Sequence, residues 1–402
     1  MSRLSQRLTL LRKQAEQEVL KAKQLNNEQS LADKLRHTRV SLVNQPSKKL
    51  SDDELAKQVK GEVLSEGLIY IKSEFSLNQL HNIYDASQLG EFLKLWPESI
   101  CEDTRSLLFV DTETTGLSNG VGTLVFLLGV AEIENQMVIN HQLLLNGFHG
   151  EIAMLEWLNK KLNQKKTLVS YNGKSFDLPL LVSRYRLKRM ASPLLTLEHI
   201  DLVHWIRRMY QKYWPNCRLQ SAEQFCLNFQ RINDMPGAEA PAIFSELIRE
   251  GKIDRLNPLC QHHRHDVISL IALLDHVAKC VNTPTEEIFN VYTTANYLVK
   301  SKRQIVAREL LERNREQTCE RGRFLLASIY RREKRWDDAL ELLHPLSDEN
   351  HTPAIEALAK YFEHKQKHLG RALGFAERLY QLEPHNRHIR RILRLKDKIS
   401  NA

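Results

Sequence analysis

The sequence predicts an α/β domain, a mixed sheet flanked by helices, followed by an all-α repeat domain. Three observations carry that expectation. Apolar runs of strand length alternate with helix-length segments between residues 105 and 280. The first three strand-like runs are joined by short links, which suits an antiparallel meander. Beyond residue 285 the pattern is helical throughout and repeats after 32 to 33 residues. A chain of 402 residues exceeds one ordinary domain, and 42% hydrophobic residues suffice for a core. The expected division is a mixed N-terminal region at 1–100, the α/β domain at 101–283 and the helical domain at 284–402.

In the first region, residues 4–26 read as a charged helix with Leu4, Leu8, Leu11, Ala15 and Val19 on one face. Asn26–Ser30 and Asn44–Asp52 read as linkers, and Gly67–Lys72 as a short strand. In the second, Ser106–Asp111 is an apolar run ending in an acid. Thr123–Glu132 and Met137–Leu145 follow as strands around the polar turn Glu134–Gln136. Then come a helix at Gly150–Leu162, a strand at Thr167–Tyr171 and a helix at Asp177–Arg189. A short strand at Leu197–Asp201, several helices and a long last helix at Leu256–Val281 complete the domain. In the third region, Leu326–Tyr330 with Trp336, Ala339 and Leu340 matches Leu358–Phe362 with Gly370, Ala372 and Leu373. Small residues at Ala327, Ala339, Ala359 and Ala372 allow paired helices to pack closely, and Tyr297–Leu311 reads as a further unit.

Composition narrows the function classes. No apolar stretch has the length of a membrane span, and the basic N-terminus lacks a signal-peptide core, so a cytoplasmic protein without a membrane partner is expected. Six scattered cysteines without a Cys-x-x-Cys pair fit neither a disulfide framework nor a zinc knuckle. The net charge is +9, and residues 281–402 carry 23 basic against 17 acidic side chains. That surplus is compatible with a polyanionic partner without requiring one.

Three segments carry acids suited to chemistry. In Asp111-Thr-Glu-Thr-Thr-Gly-Leu117, Asp111 and Glu113 share one face of a strand. Two carboxylates so close repel unless a cation lies between them, and oxygen ligands suit Mg²⁺ or Mn²⁺. A solvated strand end would read the same way. In Ser170–Leu180, Asn172-Gly173 makes a tight turn and Asp177 opens a helix, either as a simple cap or as a ligand beside the apolar Phe176 and Leu178. In Cys260–Leu270, Asp266 lies one helical turn beyond His262, so a proton acceptor would stand beside a metal-holding carboxylate. Cys260 and the neighbouring histidines also suggest zinc, but their spacing matches no zinc pattern.

Together these segments resemble the DEDD 3′→5′ exonucleases, and more closely the YprB-type branch of the RNase H-like superfamily. The matching pieces are Asp111–Leu117, Gly122–Gly129, Tyr171–Leu181 and His262–Val267. The element order, meander then alternating helix and strand, is also that of an RNase H-like mixed sheet. The resemblance implies two divalent cations held by Asp111, Glu113, Asp177 and Asp266, with His262 as general base and His263 as the fallback. It implies a terminal nucleotide lying beside Thr114, Gly116 and Leu117, with Asn172 and Lys174 as further substrate contacts. The departure is spacing: His262 stands four residues before Asp266, where tyrosine stands in one branch and where the histidine branch has five. Residues 297–384 resemble tetratricopeptide repeats, which some members carry.

The implied substrate is nucleic acid, with DNA in repair preferred over RNA, and the implied partner of the tail is a protein such as a helicase. Two other readings stay open: an RNA-processing exonuclease, and an inactive nucleic-acid-binding scaffold. Arg184, Arg186, Lys188 and Arg189 are candidate phosphate contacts or a solvated helix end. Tyr171 and Trp205 are candidate stacking platforms or core residues.

Overall fold

A computed structural model describes residues 50–77, 89, 93, 96, 103–116, 122–165, 167–232, 234–283 and 288–401. The expected helix at 4–26, the linker at 26–30 and Leu117 lie outside the described residues. Leu50–Ala402 form one compact unit.

Seven strands build one mixed sheet: β1 (Glu62–Ser65), β2 (Leu68–Ser76), β3 (Leu107–Thr114), β4 (Val125–Glu134), β5 (Met137–Leu145), β6 (Thr167–Ser170) and β7 (Glu198–Asp201). Their order across the sheet is β1-β2-β5-β4-β3-β6-β7. β3, β4 and β5 form the antiparallel meander that their short links require, and β6 and β7 add in parallel beside β3. β1 and β2 extend the sheet past β5, so part of the first hundred residues belongs to the sheet. The linker expected up to Asp52 instead carries a helix cap. Ser51 and Glu54 form a reciprocal capping box on α1 (Asp52–Val59). Asp52 then accepts hydrogen bonds from Gly67 N and Asn146 Nδ2, both at 2.7 Å, pinning the helix to the turn before β2.

Alternation along β3 divides the interior. Leu108 and Val110 pack with α2 (Glu151–Leu162) and α3 (Asp177–Leu187) on one face. Leu107 and Phe109 pack on the other, against α4 (Leu202–Tyr210). After α5 (Leu219–Cys226) and α6 (Ala240–Glu250), α7 (Leu256–Asn282) covers that second face. Leu259 and Cys260 at its start join the first core, whereas Val267 to Val281 join the second.

The tail is all helical: α8 (Val291–Lys300), α9 (Gln304–Arg313), α10 (Glu320–Arg332), α11 (Trp336–Asp348), α12 (Thr352–His364), α13 (Leu369–Leu382) and α14 (Asn386–Ser400). The repeat falls on the pairs α10/α11 and α12/α13, and Ala327, Ala339, Ala359 and Ala372 are all fully buried between helices. The second core runs from the sheet into these pairs, so the tail docks on the α/β domain. Among the described residues no helix is long and apolar enough to cross a membrane.

Candidate active site

Asp111 and Glu113 continue the face of β3 that α7 covers, because Leu107 and Phe109 before them share it. Register places Asp111 opposite Gly129 of β4. A Cβ on Gly129 would lie 2.5 Å from both His263 Cε1 and Val267 Cγ2, so the missing side chain is what lets α7 lie directly on the strand. This approach carries the third acidic segment to the first. His263 Nε2 sits 3.3 Å from the Asp111 carbonyl oxygen and 3.7 Å from its carboxylate.

Asp177 arrives from the opposite face, as the first residue of α3. It does not cap the helix. Its Oδ1 accepts a hydrogen bond from Thr112 Oγ1, between the two acids of β3. The preceding loop is held from below by Asp201 of β7, which accepts from Asn172 N at 2.6 Å and Lys174 N at 3.1 Å. Asn172 takes the left-handed conformation the turn needs, with φ of 66°. A Cβ on Gly173 would meet Ser170 Oγ at 2.3 Å. Asp177 itself is buried, whereas the neighbouring Phe176 is 51% exposed.

The electrostatics show how close the acids are. Burial, then the charges of Asp266, Asp177 and Glu113, raise the Asp111 carboxyl well above its ordinary range. Burial, then Asp266 and Asp177, push Glu113 up to about 8. Burial raises Asp177 to about 6 against the opposing hydrogen bond from Thr112. All four predicted acids therefore share one field, two of them from β3, one from α3 and one from α7.

Around Asp266 lies a second set of groups. Arg231 is buried and donates to Asp266 Oδ1 at 2.5 Å, to Glu223 Oε2 at 2.8 Å and to Asp234 Oδ2 at 3.2 Å. Asp234 also accepts from His262 Nδ1 at 2.9 Å. A carboxylate accepts, so a proton on Nδ1 answers Asp234, and Nε2 is the ring nitrogen that faces the acids. Nε2 is 3.3 Å from Asp266 Oδ2. Donor atoms of Glu113, His262 and Asp266 all lie within 4.8 Å of one another. Three lone-pair donors this close repel unless a proton or cation lies between them, so the residues fit a hard divalent ion.

Other expected site residues have different surroundings. Thr114 Oγ1 donates to the Gly116 carbonyl oxygen at 2.8 Å, tightening the chain just after β3. Asn172 and Lys174 lie in the turn before Asp177, tied to Asp201 through their backbone N–H groups, and Lys174 is exposed. His263 is unsuited to the fallback role. It is fully buried, its Nδ1 faces Gln142 at 3.0 Å, and burial lowers its pKa to about 4. Arg184 and Lys188 do not face a substrate strand, because both pair with the buried Glu151. Trp205 is core, packed between Trp96 and Tyr297. Tyr171 hydrogen-bonds the Cys217 carbonyl oxygen at 2.8 Å. Burial pushes the Cys260 thiol up to about 12.

Arg231, Glu223, Asp234, Thr112 and Gln142 escape sequence reasoning. Arg231 and Asp234 sit in an irregular stretch between α5 and α6 that carries no periodic or motif signal.

A family model described as the RNase H superfamily matches residues 108–278. The chain is also 33% identical over 354 residues to the uncharacterized protein YprB of Bacillus subtilis, covering 82% of this chain and 85% of that one. The chain belongs to the YprB family, whose core is an RNase H-superfamily domain. That superfamily points to nuclease activity on nucleic acid, and the acidic group suits the divalent metals its members use.

Proposed function

We propose that this protein is a 3′→5′ exonuclease of the DEDD type, hydrolysing phosphodiester bonds of DNA during repair. Asp111, Glu113, Asp177 and Asp266 would hold two Mg²⁺ or Mn²⁺ ions. The observation that carries the reading is the approach of donor atoms from distant segments, Glu113, His262 and Asp266 within 4.8 Å of one another, where burial and mutual repulsion also raise Asp111 and Glu113. Sites that shift carboxylates this far without supplying matching cations are characteristic of function rather than stability. The bound cations supply charge neutralisation at the scissile phosphate and at the attacking and leaving oxygens.

The chain's own groups do the rest. His262 takes the proton of the attacking water at Nε2, and Asp234 holds the tautomer that leaves Nε2 free to accept it. Arg231 fixes Asp266 and partly offsets the acidic field. Thr114, Gly116 and Leu117 border the terminal sugar, and Asn172 and Lys174 contact the phosphate side. The helical tail acts as a tetratricopeptide-like module that recruits a protein partner such as a helicase.

The test is purified protein on 5′- and 3′-labelled DNA and RNA with Mg²⁺, Mn²⁺ or EDTA. The expected result is stepwise loss of nucleotides from the 3′ end, sustained by either metal and stopped by EDTA. Binding without turnover under every metal condition would sink the enzymatic reading. Loss from the 5′ end would sink the polarity, and degradation of RNA alone would sink the DNA assignment.

A further inference from the structure

We propose that a basic cleft along α4 binds the phosphodiester backbone of a single nucleic-acid strand beyond the acidic centre. The proposal takes its ligand class from the nuclease reading above, but its evidence is separate.

The cleft follows from the pattern of α4. Leu202, Val203, Trp205, Ile206, Met209 and Tyr210 are buried. His204, Arg207, Arg208 and Gln211 recur at i, i+3, i+4 and i+7, so they form one outward stripe. Together with Lys212 this stripe lines a cleft of about 570 Å³, and no carboxylate is among the described residues that line it. Arg207 and Lys212 are exposed, whereas the Arg208 guanidinium carbon lies 3.5 Å from the centre of the Tyr297 ring. A second hollow of about 710 Å³ shares Lys212 and adds Tyr213, Tyr292, Arg321 and Arg323 near the junction with the tail, with Glu320 as the carboxylate among its lining residues. Tyr213 is 47% exposed. Cations interleaved with accessible aromatic rings suit a strand whose phosphates pair and whose bases stack.

The cleft starts beside the catalytic loop. His204 Nε2 is 3.9 Å from Asp201, the residue that holds Asn172 N and Lys174 N. Arg207 acts electrostatically on Tyr171 at the start of that loop. A strand engaged at Asp177 therefore meets this positive surface next. An acidic protein segment would satisfy the charge but not the continuity with the acidic centre.

Full-length protein in EDTA is titrated with labelled oligothymidylate and oligouridylate, each long enough to cross the cleft. The same proteins are assayed with Mn²⁺ on the p-nitrophenyl ester of thymidine 5′-monophosphate, which is too short to reach it. In Arg207→Gln/Lys212→Gln the slope of log affinity against log salt should become shallower by about 1.4, from two lost phosphate contacts. Ester hydrolysis should stay at the wild-type rate. The charge-conserving Arg207→Lys/Lys212→Arg should keep the wild-type slope. The DNA and RNA arms show which backbone is held more tightly, and either supports the cleft. Equal slopes in the wild type and the Gln variant overturn the proposal, as does displacement of oligonucleotide by polyglutamate at equal charge concentration. If the wild type fails to cleave the ester while the Gln variant still loses oligonucleotide affinity, the nuclease reading falls and the cleft stands.

Discussion

Two acidic sites on the central sheet, one buried and one partly exposed, meet the same electrostatic problem in opposite ways. Glu132 of β4 is 2% exposed, and burial alone would raise its pKa. Hydrogen bonds from His141, Lys161 and Lys165 outweigh that and hold it well below the usual carboxylate range. Lys165 Nζ lies 2.9 Å from one oxygen and His141 Nε2 3.0 Å from the other. At the end of β3, Asp111 and Glu113 face the charges of Asp177 and Asp266, with Arg231 as a partial offset for Asp111. The first site is a closed ion cluster that ties β4, β5 and the end of α2 together. The second leaves negative charge unbalanced, which a structural site has no reason to do. On the proposed reading, the difference separates a structural acid from the candidate catalytic ones without reference to any motif.

Removing one member from each site should therefore give opposite results. Asp111→Asn should lower nuclease turnover by a factor on the order of 10³ or more, the scale for loss of an essential charged group. The metal-free variant should melt no lower than the wild type, because a repelled carboxylate has gone. Calorimetry in EDTA beside the turnover assay checks both halves. Glu132→Gln should leave turnover intact yet destabilise the fold by about 3 kcal/mol, because Lys161 and Lys165 lose their partner in a buried place. A denaturant titration reads that loss. If Glu132→Gln instead abolished turnover at unchanged stability, the division between the two sites would collapse.

The contrast also explains what the sequence disclosed. The four acids and His262 were legible because each lies within a short motif whose local geometry is set by its own strand or helix. The meander was legible because its apolar runs are bounded by short polar links. The place of β2 in the sheet was not, since nine residues of mixed polarity become a strand by pairing along β5, far away in sequence. Arg231, Asp234 and Glu223 were hidden for the same reason: only tertiary packing brings an irregular loop and α5 to Asp266. The repeat in the tail was legible through four alanines whose smallness only makes sense where two helices touch.

Asp234 offers a milder perturbation than loss of an acid. It contacts His262 and Arg231 but contributes no donor atom to the group of Glu113, His262 and Asp266, so it is a positioning residue. Asp234→Asn should keep the fold and lower kcat by about 10- to 100-fold, the range for partners that orient a functional imidazole. KM for nucleic acid should hardly change, and Asp234→Glu should restore part of the rate. A fall in KM and kcat together, or a loss of stability matching the rate loss, would assign Asp234 to the scaffold instead.

The smallest expected effect lies in how the two sites titrate. Glu113 has an ordinary value of 4.5 and stands at about 8 in the folded chain, and Asp177 moves from 3.8 to about 6. A folded pKa raised above the unfolded one means that folding takes up protons. The stabilisation from these groups is complete below about pH 4 and fades as pH rises through 6 to 8. Glu132 runs the other way: its folded pKa is depressed, so its contribution is present above 4.5 and lost as pH falls through the lower folded value. The metal-free protein should thus lose melting temperature between pH 5 and 8, by a few degrees beyond any trend in Asp111→Asn/Glu113→Gln. Mn²⁺ should restore more of it at pH 8 than at pH 6, because protons compete with the cation for the same oxygens. A metal-free melting temperature that rises across this window in the wild type as it does in the double variant would mean that the acids at the end of β3 ionise freely, and the contrast with Glu132 would be lost.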